Sequence, residues 1–264
     1  MARTALAPLA PTAFASLSRT ALRTLTRTAL GALTLAALGL AAATPAAATQ
    51  RSLSAPEARP FAAIGRIAYV DAPAPGGAIC SGVLVAPDLV LTALHCVLPA
   101  TGAPQPGTIR FAVGWRDGRA AAILRGAEVI PPRERWNAIT DLALLRLAAP
   151  VPATLAIPLP IAAPARPGET LSLVGWRRDA PEAPVRDDAC RVETVVPRMA
   201  GLGCEVVSGN SGAPMMTRGP AGWEIRAITV ATSRTPEGRA RALASDPPAD
   251  LRAVMAAATA SLRE

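Results

Sequence analysis

The chain has 264 residues, room for one large or two small cores, and its 27 basic residues, all arginine, stand against 19 acids for a formal charge of +8. Four arginines (Arg3, Arg19, Arg23, Arg27) lie in the first 48 residues, which contain no acid, so the rest carries +8 − 4 = +4. Those remaining arginines are scattered among Asp and Glu without a run or an aromatic series, which gives no basis for a nucleic-acid partner, and a single histidine, His95, argues against a zinc site.

Residues 1–48 read as a cleaved secretory signal, with arginines leading into an uncharged Ala/Leu run over 29–43 and small residues Ala46, Ala47 and Ala48 behind it. The run is shorter than the ~20 residues a spanning helix needs, so no lasting membrane anchor is expected. The Arg-rich, Ser/Thr-rich, acid-free lead also fits an organellar transit peptide. A secreted or periplasmic location follows from the signal. There the four cysteines, Cys80, Cys96, Cys190 and Cys204, are expected to form two disulfides. Residues 49–60 are polar and proline-bearing and read as a linker or short pro-segment.

From residue 61 onward short apolar runs alternate with Gly, Pro and Asp turns, over 64–70, 82–85, 89–92, 108–113, 121–124, 142–147, 171–174, 215–217 and 224–231. Many short strands at this spacing predict an all-β sandwich or barrel. Prolines at 150, 152, 158, 160, 164 and 167 bar a central strand, so 150–167 is expected to be a connector. It separates two β-rich halves, about 61–149 and 168–245, each large enough for a small barrel. An amphipathic helix is expected over about 250–263, with Asp250 as N-cap and Leu251, Val254, Met255, Ala258 and Leu262 on its apolar stripe.

Three short motifs carry chemistry: Leu91-Thr92-Ala93-Leu94-His95-Cys96, Asp141-Leu142-Ala143-Leu144-Leu145 and Gly209-Asn210-Ser211-Gly212-Ala213-Pro214. A serine hydroxyl needs a base to take its proton as it attacks, and a buried carboxylate is needed to orient that base. Each motif alone has a plainer reading: a packed histidine, a strand start, a tight turn. Taken in order, the set resembles the trypsin-like (chymotrypsin-fold) serine proteases, in a bacterial-type branch with a G-N-S-G nucleophile motif that includes glutamyl endopeptidases. Cys80-Ser81-Gly82-Val83-Leu84-Val85 followed by 89–96 resembles that family's block around its histidine.

The resemblance, over about 61–231, implies two six-stranded antiparallel β-barrels and a serine endopeptidase acting on protein or peptide substrates, as a monomer and without cofactor or metal. Carried over by residue, His95 would be general base, Asp141 its orienting carboxylate and Ser211 the nucleophile, with the N–H groups of Gly209 and Ser211 as oxyanion hole. Disulfides Cys80–Cys96 and Cys190–Cys204 are implied likewise. Glu205, six residues before the nucleophile, would floor the specificity pocket and favour a basic substrate residue, or else simply face water; Thr229, Ala231 and Thr232 would supply the pocket walls.

Two departures matter. The animal digestive branch has an aspartate before the serine, paired with a new chain end after activation; Asn210 carries no charge and cannot form that pair. A glutamate-selective pocket would want a second histidine, and the chain has none. The alternative to an active enzyme is a protease-fold binding protein with a silent triad; an esterase is disfavoured because the nucleophile lacks the G-x-S-x-G elbow.

Overall fold

The computed structural model describes residues 50–69, 79–98, 105–238 and 240–260, so the signal expected at 1–48 lies outside the described residues. In the first half, β2 (Ile64–Tyr69), β3 (Ile79–Ala86), β4 (Leu89–Ala93), β5 (Ile109–Val113), β6 (Ala122–Ile130) and β7 (Leu142–Leu147) form a closed antiparallel barrel in the order β2-β3-β4-β7-β6-β5. The near-continuous apolar runs of β4 and β7, broken only by Thr92 and Arg146, arise because both faces of these strands are covered. Val90, Ala143 and Leu145 point into the barrel with Ile67, Leu84, Ile109 and Phe111, while Leu89, Leu91, Leu142 and Leu144 face the second half of the molecule.

The second half contains β8 (Thr170–Gly175), β9 (Val185–Val196), β10 (Met199–Leu202), β11 (Pro214–Gly219), β12 (Gly222–Arg234) and β13 (Ala240–Ser245). They run β9-β10-β13-β12-β11-β8, and β8 pairs back onto β9 to close the circle. Two six-stranded barrels are therefore present, as the resemblance implied. The inner surface of the second one is built from small residues, Ala200, Ala227, Ala242 and Ala244, around Leu171, Leu173, Leu202 and the Cys190–Cys204 disulfide.

Between the barrels lies a third apolar cluster that includes Val83, Leu91, Leu144, Trp176, Met216, Ile228 and Val230. Residues 150–167 form no strand of the barrels. They strap the two together instead, since Leu159 N–H donates to Leu84 on one side and Ala162 N–H and Pro160 O bond Ile225 on the other. Helix α2 (Ala249–Ala260) closes the cluster with Leu251 and Met255. Asp250 sits one residue inside this helix rather than capping it, and its Oδ2 accepts the Arg133 N–H at 2.6 Å. Among the described residues no helix is long and apolar enough to cross a membrane.

The composition of 49–60 suggests a linker, yet from Gln50 onward the segment is packed on the second barrel. Strand β1 (Arg51–Ser52) pairs with β9, Leu53 is buried, and the single turn α1 (Ala55–Ala58) is closed by Glu57, which accepts from both the N–H and the hydroxyl of Ser54. Leu53 and Phe61, the latter 5.2 Å from the Trp223 ring centroid, are the anchors. Two apolar residues eight positions apart make no periodic pattern, which is why the sequence does not reveal the element.

Candidate active site

The register of β4 against β7 pairs Ala93 with Leu142, so the residues that follow one strand and precede the other are neighbours. His95 sits on the 3-10 turn Leu94–Cys96 after β4, and Asp141 stands immediately before β7. Asp141 Oδ2 lies 2.6 Å from His95 Nδ1, and Oδ1 accepts the His95 backbone N–H at 3.0 Å. A carboxylate only accepts, so the ring proton is on Nδ1 and Nε2 is left as the basic nitrogen. Cys96 is joined to Cys80 on β3, with Cα atoms 6.0 Å apart, which ties this turn to the strand beside it.

A third donor reaches the same carboxylate: Trp136 Nε1 bonds Asp141 Oδ1 at 3.1 Å while its side chain remains 63% exposed. The loop that carries it is braced. Asn137 Oδ1 accepts the Ile139 and Thr140 N–H groups, and Glu134 receives two bonds from Arg198. Nothing in the sequence singles out Trp136, which stands in a polar stretch with no apolar period around it.

Ser211 belongs to a loop at the seam between the barrels. Gly209 (φ +104°) and Gly212 (φ +79°) take left-handed backbone that side chains rarely adopt. A Cβ on Gly212 would also lie 2.0 Å from Ser81 O and 2.2 Å from Thr92 Oγ1, both in the first barrel. Ser81 N–H donates to Ser211 O at 2.8 Å, and Ser81 Oγ donates to Gly209 O while accepting the Trp176 N–H. The N–H groups of Asn210, Gly212 and Ala213 are bonded to Val207, Thr229 and Asn210 carbonyls. Those of Gly209 and Ser211 make no hydrogen bond among the described residues.

Asn210 is fully buried and its amide is satisfied: Nδ2 donates to Trp176 O at 2.9 Å, and Oδ1 accepts from Val207 N and from Gln50 Nε2, each at 2.9 Å. Gln50 Nε2 also donates to Glu205 O at 2.8 Å. Gln50 thus holds two points of the loop that leads to Ser211. Only its place ahead of the first barrel was legible in the sequence.

His95 and Ser211 line one cavity of about 250 Å³, together with Gly209, Ser208, Arg178, Tyr69, Ile67, Ile79 and the Cys80–Cys96 pair. No hydrogen bond joins the Ser211 hydroxyl to the imidazole in this structure, a looseness common before substrate binds. Cys80, His95 and Cys96 bring ligand-type atoms together, but the two sulfurs are bonded to each other.

Of the residues assigned to the specificity pocket, Thr229 is buried on β12 and accepts the Gly212 N–H, Ala231 is half-buried and Thr232 exposed. Glu205 is exposed and does not line the cavity that holds His95 and Ser211. Its charge is felt at Arg177, whose guanidinium is pushed above its ordinary value first by hydrogen bonds to Asp179 and further by the charges of Asp179 and Glu205.

A family model described as Trypsin matches residues 57–243. Among solved structures, that of a Glu endopeptidase in complex with MPD is similar to 80% of this chain and 96% of its own, with a TM-score of 0.65 and 19% sequence identity.

Proposed function

The chain belongs to the trypsin family of serine-type endopeptidases, and we propose that it cleaves peptide bonds through an acyl-enzyme on Ser211, with His95 as general base and Asp141 as the carboxylate that orients it. The observation that carries this reading is the short His95–Asp141 contact opening onto the same cavity as Ser211, beside two backbone N–H groups with no partner among the described residues.

In the first step Nε2 takes the hydroxyl proton as Ser211 Oγ attacks the substrate carbonyl. The imidazolium is stabilised by Asp141, whose charge is itself spread over three donors. The oxyanion that forms is met by the N–H groups of Gly209 and Ser211. His95 then protonates the departing amine, and a water activated by the same nitrogen releases the acyl group and restores Ser211.

All three members of the proposed triad come from one chain, so the unit proposed to act is the monomer, with a catalytic domain over 61–264 divided at 150–167. A secreted or periplasmic location agrees with the two disulfides, which persist in oxidising compartments. We assign the wall of the primary pocket to Thr229, Ala231 and Thr232, with Glu205 at its exposed edge. Glu205 shares its field with Arg177, which weakens its pull on a basic substrate residue. A glutamate preference, which the similar Glu endopeptidase carries in its name, has no second histidine to support it here.

The test is covalent labelling by a fluorophosphonate probe. Disulfide-intact protein should label and hydrolyse casein-type substrates, and Ser211→Ala should abolish labelling and lower kcat by at least about 10⁴-fold. Wild-type protein that neither labels nor hydrolyses would favour the silent binding role.

A further inference from the structure

The cavity beside Ser211 has a chemistry of its own. Its floor is apolar, formed by Ile67, Ile79 and the Cys80–Cys96 disulfide, and no carboxylate lines it. Two of its lining residues are hydrogen-bond donors without partners. The Tyr69 hydroxyl is buried and unbonded among the described residues. Burial also pushes this phenol above its ordinary value, and a hydroxyl so enclosed is out of a ligand's direct reach, which leaves Arg178 as the accessible donor. The Arg178 side chain is exposed and its guanidinium makes no ion pair or hydrogen bond among the described residues, although its backbone N–H donates to Ser208 O at 2.8 Å and so fixes it beside the nucleophile loop. The neighbouring acids are engaged elsewhere. Asp179 pairs with Arg177, and Glu182 accepts the Gly118 N–H.

The position of the cavity decides which part of a substrate it meets. His95 must hand a proton to the departing amine, so the leaving-group peptide lies on the imidazole side of Ser211. The cavity touches His95 and the disulfide behind it, whereas none of Thr229, Ala231 or Thr232 on the acyl side lines it. Resting on the endopeptidase reading above, we infer that this cavity is a carboxylate-binding subsite for the leaving-group side of the substrate, with Arg178 as its cation. A guanidinium presents its N–H donors as a fork that matches the two oxygens of a carboxylate. That carboxylate comes either from an Asp or Glu side chain within two residues after the scissile bond or from the C-terminus of a short leaving peptide.

Amidated peptides bearing Glu, Gln or Lys at the first or second position after the cleaved bond separate these cases from neutral peptides with a free C-terminus. Glu over Gln should gain about five- to tenfold in kcat/KM at low salt, with the gain shrinking as salt is added. Acceleration confined to the free C-terminus would assign the subsite to the chain end. Arg178→Ala should bring the Glu/Gln ratio near one, and Arg178→Glu should reverse it in favour of Lys. Tyr69→Phe, which removes only an enclosed hydroxyl, should leave the ratio unchanged. Equal rates for Glu, Gln, Lys and free-acid peptides with wild-type protein would overturn the subsite. Calorimetry of the same leaving-group peptides on Ser211→Ala keeps the two readings apart. Carboxylate-selective binding without any hydrolysis by wild-type protein would sink the endopeptidase reading alone, and hydrolysis without such selectivity would sink only the subsite.

Discussion

The two barrels hold their parts of the site by different means. The first is filled with Ile, Leu, Phe and Val, and the β4–β7 ladder itself sets His95 beside Asp141. The second has an interior of alanines around a disulfide, and it presents Ser211 on a loop outside any ladder. Backbone N–H groups proposed to receive the substrate oxyanion cannot also be used in strand pairing. The order of that loop is therefore borrowed from Ser81, Trp176 and Gln50, three distant residues that bond to it.

The sharpest way to break this contrast is at the seam. Gly212→Ala forces a side chain into left-handed backbone and against Ser81 O, and should cost more than about 100-fold in kcat/KM and roughly 3 kcal/mol in stability, read by peptide hydrolysis and denaturant unfolding. Wild-type behaviour would mean that the loop is not held by the first barrel.

The disulfides sharpen it next. They close loops of similar length, with separations of 16 and 14 residues, so chain entropy alone assigns each about 3 kcal/mol. The Cys190→Ser/Cys204→Ser pair should nevertheless lower Tm more than Cys80→Ser/Cys96→Ser, because fewer large side chains remain to hold the second barrel. The first pair should lose more activity for each degree of Tm. Equal losses in both measures would erase the distinction.

On the first barrel, Trp136→Phe removes one of three donors to Asp141 and should lower kcat roughly tenfold with Tm nearly unchanged, since the indole is mostly exposed. The smallest effect concerns Asp187, buried inside the second barrel with Oδ2 unbonded among the described residues. Burial raises its carboxyl above the ordinary 3.8, partly opposed by the Ala189 N–H. A raised folded value means that the acid destabilises the fold as pH climbs through that value and not below the unfolded one. Asp187→Asn should therefore raise Tm at neutral pH, with the gain vanishing toward pH 3.8 and below. A gain that did not vary with pH would point to packing instead.

The contrast also explains what could be read from the amino acids. Runs such as 89–92 and 142–147 are apolar because both their faces are buried, and they announce themselves as strands. β9 does not, since its inward residues Val185, Asp187, Cys190 and Val192 are interrupted by a register shift and flanked by Arg, Asp and Glu. β10 and β13 rely on Ala and Gly, which have little strand preference. At the site, His95, Asp141 and Ser211 stand in dense local motifs. Trp136 meets Asp141 only five positions on, through a loop that no motif marks, whereas Gln50 acts across the fold, where only tertiary structure gives it a partner.

The bond from Gln50 to Asn210 has a consequence for control. An amide side chain carries no titrating charge and exists in the same form before and after any cut upstream of residue 50. At this contact the loop is held by an amide and not by an ammonium, so acid cannot unlock it there by discharging an ion pair. What the loop does require is covalent continuity with the short strand that carries Gln50. A nick between residue 50 and the first barrel leaves only the β1–β9 pairing and Leu53 to hold the clasp, and is expected to lower activity, the reverse of a zymogen's maturation.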